Sequence, residues 1–447
     1  MRPLQSLTFE AIIEELGKSF SQSRDNRAPE RVNYSIESTL MTGLAVFFFQ
    51  HPSLLNFQRK MESKKGRCNL RTMFKVKEIP SDSQIRTILD EVSPEIVRKM
   101  IPRLFEKMRV AGWGDEYKTV IRDGVKKGSY YTCAIDGSGY FHSGKISCEG
   151  CLTKTSSKTG EVGYYHQVMA ATLVKAGSRK ILPLDAEQIS NQDGTEKQDC
   201  EQNAGKRLIK RLRKEHPQIK MIITGDDLQS REPMILECLE QRFEYIFVAK
   251  ESSHREMQEW VEDLDKLGES VHGKWEEEAK CQRRYYEYRI VPNVPLTKSD
   301  QVLTNYVEVW EKNKDGKQTY HNSWVTNLEV TAENVREIVG IGRSKWKIEN
   351  EHFNIQKNHG YELEHNFGHG QKHLAEVFYL LNLLAFMLHK IIERGDLRYR
   401  KCFARGETIR EVWETLKIGF AKVLLESWGD LLIFCYEDEW EKEVSSG

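Results

Sequence analysis

The chain has 447 residues, 39% hydrophobic and 30% charged, and its 67 basic and 67 acidic side chains leave no formal net charge. That length implies two to four domains with an ample core. The charge balance is not that of a uniformly basic nucleic-acid binder, although local patches decide phosphate binding. Nine cysteines, odd in number and scattered, do not make a disulfide framework in a chain this long.

Residues 1–125 read as a helical region. An apolar helix is expected over Ser38–Gln50, stopped at His51-Pro52-Ser53. Pro80-Ser81-Asp82 can cap a helix running through Leu89, and Ser93-Pro94-Glu95 can open another with proline in its first turn. A basic loop around Lys64, Lys65 and Arg67 precedes them. Such a region suits either DNA-end binding or helical packing and dimerisation. No clean helix-turn-helix is present.

From residue 126 the pattern turns to strands: Tyr130–Ile135, Gly139–Ile146 and Gly163–Val174. A charged helix is expected over Glu196–Lys214, then a strand Ile219–Thr224, a helix Glu232–Gln241 behind Pro233, and a strand Tyr245–Lys250. Three strands followed by alternating helix and strand predict a mixed sheet with helices on its faces, over residues 126–268. Residues 269–332 read as a β-rich insertion, with strands Arg283–Val291, Val302–Trp310 and Ser323–Val330 and a turn on Asp315-Gly316. Residues 333–375 carry a helix over Asn334–Val339 and a second bearing Glu349, and residues 376–447 are helical. The apolar stretch Val377–Leu388 is too short to cross a bilayer and reads as a buried helix. No basic-then-apolar segment opens the chain, so a cytoplasmic, nucleoid-associated location is expected.

Three acidic residues carry the chemistry. Asp136 and Asp226 each follow an apolar strand, and Gly137 leaves room for a phosphate beside the first. The neighbouring Asp227 ranks second to Asp226. On an α-helix, Lys345, Phe353 and Gln356 share the face of Glu349 while Glu351 lies on the far side. Magnesium prefers oxygen ligands, and two such ions can stabilise both the attacking and leaving oxygens of an in-line displacement. Any single member of this set reads as a turn, cap or solvated residue. Together, two at strand ends and one on a late helix, they point to metal-dependent phosphoryl transfer.

Trp346-Lys347-Ile348-Glu349 resembles the Trp-x-Ile-Glu signature of insertion-sequence DDE transposases. The run Lys345–Gly370, together with Gln192-Asp193-Gly194, Lys197–Glu201 and Ser323–Thr326, is similar to a subgroup filed as unclassified insertion-sequence (ISNCY-like) transposases. The resemblance implies an α/β fold with a ribonuclease H-like mixed five-stranded sheet, flanking helices, a β-rich insertion between the second and third acids, and helical N- and C-terminal regions. It implies Asp136, Asp226 and Glu349 as catalytic metal ligands for Mg2+, with Mn2+ as a substitute. It also implies double-stranded DNA partners, terminal inverted repeats and target, held by a homodimer or larger assembly. The enzyme would cleave element ends and join the freed 3′-hydroxyl to target DNA. Where the better-known pattern has a tyrosine, an arginine and a lysine around the glutamate, this chain has Gly342, Lys345 and Gln356, with Lys357 one position late. A catalytically silent DNA-binding regulator and another ribonuclease H-like nuclease remain as alternatives.

Arg343, Lys345, Gln356 and Lys357 near Glu349 are the expected DNA contacts, with Lys206, Lys210 and Arg213 as a basic row on an earlier helix, where a solvated amphipathic face is the plainer reading. Trp310 and Trp324 could stack on a flipped base, against the plainer reading of core packing. Cys148 and Cys151 with His142 and His166 form one possible zinc set, and the histidines at 352, 359, 365, 369 and 373 another. Reduced structural cysteines are the plainer reading of the first set, and helix and loop histidines that contact DNA or each other the plainer reading of the second.

Overall fold

The computed structural model describes residues 3–437 except 26, 29–31, 124–125, 192–199, 280–281, 298–301 and 405. The chain is mixed α/β, built on one open sheet. Its strands are β1 (Lys118–Asp123), β2 (Lys126–Ser143), β3 (Leu152–Thr155), β4 (Val162–Val174), β5 (Leu182–Ile189), β6 (Met221–Gly225), β7 (Glu244–Val248), β8 (Val271–Ala279), β9 (Gln282–Pro295), β10 (Leu303–Lys312) and β11 (Gln318–Thr326). Their order is β3-β4-β2-β6-β7-β11-β10-β9-β8, with β1 on β2 and β5 on β4.

β4 runs antiparallel to its neighbours β2 and β5, whereas β6 and β7 run parallel to β2. Parallel neighbours need crossover connections. The helices Glu201–Glu215 and Glu232–Glu240 precede β6 and β7 and supply them. All five residues of Met221–Gly225 are buried, which suits a strand covered on both faces.

The expected strands Tyr130–Ile135 and Gly139–Ile146 are one long strand. Gly137 and Gly139 read as breaks, but β4 supplies a partner from Thr132 to Ser143, with a register shift at Gly139/Phe141. Four strands escape the sequence pattern: β1, β3, β5 and β8. β5 contains Pro183, Asp185 and Glu187 and is held by pairing to β4. β8 ends in a run of glutamates, a composition typical of an edge strand that resists further pairing.

The β-rich insertion is part of the same sheet. β11 pairs antiparallel with β7 through Trp324↔Val248, Val325↔Phe247 and Thr326↔Ile246. The Asp315-Gly316 turn forms as expected, with Gly316 at φ 76°. Trp324 is fully buried, and the glycine at 342 lets the helix Val335–Arg343 lie directly on its indole. That takes Trp324 out of reach of a flipped base. Trp310 stacks on His321 at 5.4 Å.

The helices at the two ends of the chain share one apolar core with the sheet. Phe9, Phe48, Phe49 and Phe74 pack with Trp413, Phe420 and Trp428 from the far end of the sequence. Lys64–Phe74 is a helix capped by Ser63, not the expected loop. Its buried Asn69 donates to the carbonyls of Phe420 and Val423 and accepts from the Leu425 amide. Lys64, Lys65 and Arg67 remain exposed on its outer side. The expected helix starts are present: Ser81 and Gln84 form a capping box, and a short helix starts at Glu95 behind Pro94 without a side-chain cap. Leu374–Gly395 is, among the described residues, the one helix long and apolar enough to cross a membrane. It extends the expected Val377–Leu388 stretch at both ends, and 83% of its most apolar window is buried inside the molecule.

Candidate active site

The last ladder pair between β2 and β6 is Ala134↔Thr224. Two residues past this pair stand Asp136, still within β2, and Asp226, the first residue beyond β6, so the parallel register brings both to the same end of neighbouring strands. Asp136 therefore lies inside a long strand, not at its end. It emerges where β6 stops while β4 continues to hold the backbone, pairing Asp136 with Ala170. Asp226 opens a turn in which its Oδ1 accepts from the Leu228 amide at 2.9 Å. Asp227 points elsewhere, accepting from the Lys250 amide and the Ser253 hydroxyl, and serves as a turn lock.

Glu349 comes from Ile348–Phe353, a π-helical turn after the helix Val335–Arg343. Wide turns of this kind recur at functional sites. Ile348 and Phe353 are buried beneath it, and buried His352 meets the Thr172 hydroxyl of β4 through Nδ1 at 2.5 Å. Burial holds the His352 imidazole neutral, at a pKa of about 3. These anchors present Glu349 outward, its side chain 54% exposed. Lys345 joins the parts: its Nζ lies 3.2 Å from Asp136 Oδ2 and also binds Glu349 Oε1, one turn along.

A fourth carboxylate completes the group. Glu201, in the first turn of Glu201–Glu215, lies over Gly137 and accepts from the Gln167 amide of β4. The space expected for a phosphate beside Gly137 is thus taken by the Glu201 side chain. Nothing in the strand pattern singles out Glu201. Its one sequence signal is its place in the Lys197–Glu201 motif, of which 197–199, like Gln192-Asp193-Gly194, lie outside the described residues.

Burial pushes the Asp136 carboxyl up to about 6, against the pull of Lys345 and with repulsion from Glu349 and Asp226. Burial, and then Asp226, also raises Glu201. Burial would lower the Lys345 ammonium, but Asp136 and Glu349 raise it. Such a cluster is a place where charge must be compensated. Its donors are all oxygens, which suits a hard divalent cation such as Mg2+ or Mn2+. Lys345 supplies part of that compensation.

Of the seven expected DNA contacts, Lys345 alone reaches the carboxylates among the described interactions. Gln356 is fully buried and donates to Asn382, because the π turn rotates the helix away from the ideal α register assumed for it. Arg343 pairs with Glu311 at 2.9 Å and lies over Tyr320. Arg213 is a structural clamp, donating to the carbonyls of Gln241, Arg242 and Ile219 over the Phe243 ring. Lys357 pairs with exposed Glu364, and exposed Lys210 with the buried carboxylate of Glu237. Lys206 is half-buried on the same helix as Lys210.

The two histidine-containing sets resolve differently from their sequence groupings. His142 is exposed and stands apart. His352 binds Thr172, His359 faces Asn354, His365 sits edge-on to Phe367, and His373 is exposed. His369 leaves that set and joins Cys148, Cys151 and His166. Compared with known protein families the chain matches no family model, and no curated protein matches it.

Proposed function

We propose that this chain is a DDE-type DNA transposase, with Asp136, Asp226 and Glu349 as its catalytic carboxylates. The observation that carries this reading is the placement of Asp136 and Asp226 at the same end of the parallel strands β2 and β6, with Glu349 tied to Asp136 through Lys345. The five strands β5-β4-β2-β6-β7, three antiparallel and two parallel, support a ribonuclease H-like core. The strands β8–β11 fall between the second and third acids, where the resemblance expects an insertion.

Magnesium held by Asp136, Asp226 and Glu349 would supply Lewis-acid activation and stabilise the charge that builds on the phosphate. The chain's own residues do the positioning. β2 and β6 fix two carboxylates through the sheet, and the His352–Thr172 bond fixes the turn that carries the third. Lys345 offers the positive charge a phosphate oxygen would meet at the centre of an acidic site. In the first step a water oxygen bonds to phosphorus at the element end, and the bond to the 3′-oxygen breaks, which leaves a 3′-hydroxyl. In the second, that hydroxyl attacks a target phosphodiester and displaces its 3′-oxygen. Acting on two ends of an element calls for at least two copies of the chain on double-stranded DNA.

The test is to incubate purified protein and magnesium with a plasmid carrying the gene and its native flanks, beside Asp136→Ala and Glu349→Ala variants, and to map the cuts. Cuts at fixed flanking positions, lost in both variants, are expected. Binding to the flanks without any metal-dependent cut would instead assign a silent DNA-binding regulator.

The position of Glu201 yields a second expectation. A methyl group at 137 would fall on the Glu201 carboxylate, the movable end of a flexible side chain. Gly137→Ala should therefore fold with little loss of thermal stability yet cleave at least about tenfold more slowly, since small displacements in a preorganised site carry large rate penalties. Wild-type cleavage by Gly137→Ala and by Glu201→Gln would remove Glu201 from the site.

A further inference from the structure

Away from the carboxylates, four side chains converge from three distant segments. Cys148 and Cys151 flank the turn before β3, His166 lies on β4, and His369 lies in the loop that leads into the helix Leu374–Gly395. Their ligand atoms all fall within 4.8 Å of one another. Cys148 Sγ and Cys151 Sγ are 3.8 Å apart. His166 Nε2 lies 3.5 Å from the first sulfur and 3.6 Å from the second. His369 Nε2 lies 3.2 Å from Cys151 Sγ and 3.0 Å from His166 Nε2.

These spacings can be compared with those a metal would impose. A tetrahedral zinc about 2.3 Å from each sulfur and about 2.0–2.1 Å from each nitrogen sets S–S at about 3.8 Å, S–N at about 3.6 Å and N–N at about 3.4 Å. Three of the five separations agree to within about 0.1 Å of that frame, and the two to His369 Nε2 are each about 0.4 Å shorter than it. The second sphere agrees too. His369 Nδ1 lies 2.8 Å from the Gly370 carbonyl, which can only accept, so the proton sits on Nδ1 and the Nε2 lone pair faces the sulfurs. His166 Nδ1 meets the Gln188 side-chain amide at 3.1 Å, and that amide can turn its oxygen to accept from Nδ1–H. Tyr140 holds Gln188 from the other side at 3.0 Å. Three of the four ligands are buried, so this is not a surface coincidence of polar groups.

We propose that Cys148, Cys151, His166 and His369 bind a structural zinc ion. Four protein ligands close the coordination shell, which is the pattern of a structural site and leaves no position for substrate. The ion staples β3 and β4 of the sheet to the segment that follows the Glu349 helix. It thereby limits how far that segment can move relative to the strand bearing Asp136. Cys-x-x-Cys alone is a weak signal. His369, 203 residues beyond His166, completes the site only in the folded chain.

The test reads metal, not cleavage, so it stands or falls independently of the proposed activity. Protein purified without a polyhistidine tag should contain close to one equivalent of zinc by elemental analysis, reduced to background in Cys148→Ser and retained in the control Cys68→Ser. Because a ligand variant could fail to fold, the wild-type chain should also be stripped with a chelator and titrated with Co2+. Visible bands of tetrahedral cobalt with thiolate charge transfer are expected, and zinc should displace them. Zinc at background in wild-type protein, together with no such bands on cobalt addition, would overturn the proposal. So would full zinc content in Cys148→Ser.

Discussion

Replacing Asp136 by asparagine is expected to abolish DNA cleavage, leave DNA binding in place and raise the stability of the fold. In the proposed role the activity loss should be about 10³-fold or more, because a metal-holding carboxylate would act on the charge of the transition state. The stability gain follows from burial. The Asp136 side chain is 13% exposed, and its folded pKa is raised to about 6 from an ordinary value of 3.8. The folded state thus binds a proton more tightly than the unfolded state. Stability contributed by this group is fully present below about pH 4 and is lost as pH rises towards 6, so at neutral pH the charged carboxylate destabilises the fold. At about 1.4 kcal/mol per pKa unit the penalty is on the order of 1–3 kcal/mol. Lys345 keeps Glu349 as a partner in the variant and is not orphaned. Thermal denaturation at pH 7 should show Asp136→Asn melting a few degrees above wild type. Added magnesium should stabilise wild type more than the variant. A variant less stable than wild type would mean that the Lys345 attraction outweighs the burial penalty.

Arg98→Ala is expected to cost about 3–5 kcal/mol, the usual penalty for removing one member of a buried ion pair. The Arg98 side chain is 6% exposed and pairs with Glu95, Asp185 and Glu376, and it also donates to the Ala186 carbonyl. It ties the N-terminal helices to β5 and to the core helix Leu374–Gly395. Asp185 keeps a second partner in Arg211, at 2.6 Å, so the group left uncompensated is Glu376. Burial already raises the Glu376 pKa even with Arg98 present. Without it the shift grows, so the variant's deficit should shrink as pH falls and Glu376 is protonated. Chemical denaturation at pH 7 and pH 5 checks both points. Adding Glu376→Gln to Arg98→Ala should restore part of the loss. An equal deficit at both pH values, unrelieved by the second substitution, would shift the cause to lost packing.

Signals a few residues long are legible in the sequence of this protein. β4, β6 and β7 follow from apolar runs, the capping box at Ser81 and Gln84 from its spacing, and the turn at Gly316 from a residue that tolerates positive φ. Asp136, Asp226 and Glu349 stand out in the sequence for the same reason, since each lies in or beside a recognisable local element. Tertiary structure decided the rest. β5 and β8 are strands because a neighbour accepts their backbone, not because of their composition. Gln356 and Arg213 look like surface contacts on an ideal helix. A π turn buries the first, and five backbone carbonyls recruit the second. Glu201 meets Gly137, and His369 meets Cys151, only because sheet register and helix packing close loops of tens to hundreds of residues. Local sequence encodes backbone preference over one or two turns. Which side chains converge from far apart is chosen by the pairing of strands and the filling of a shared core.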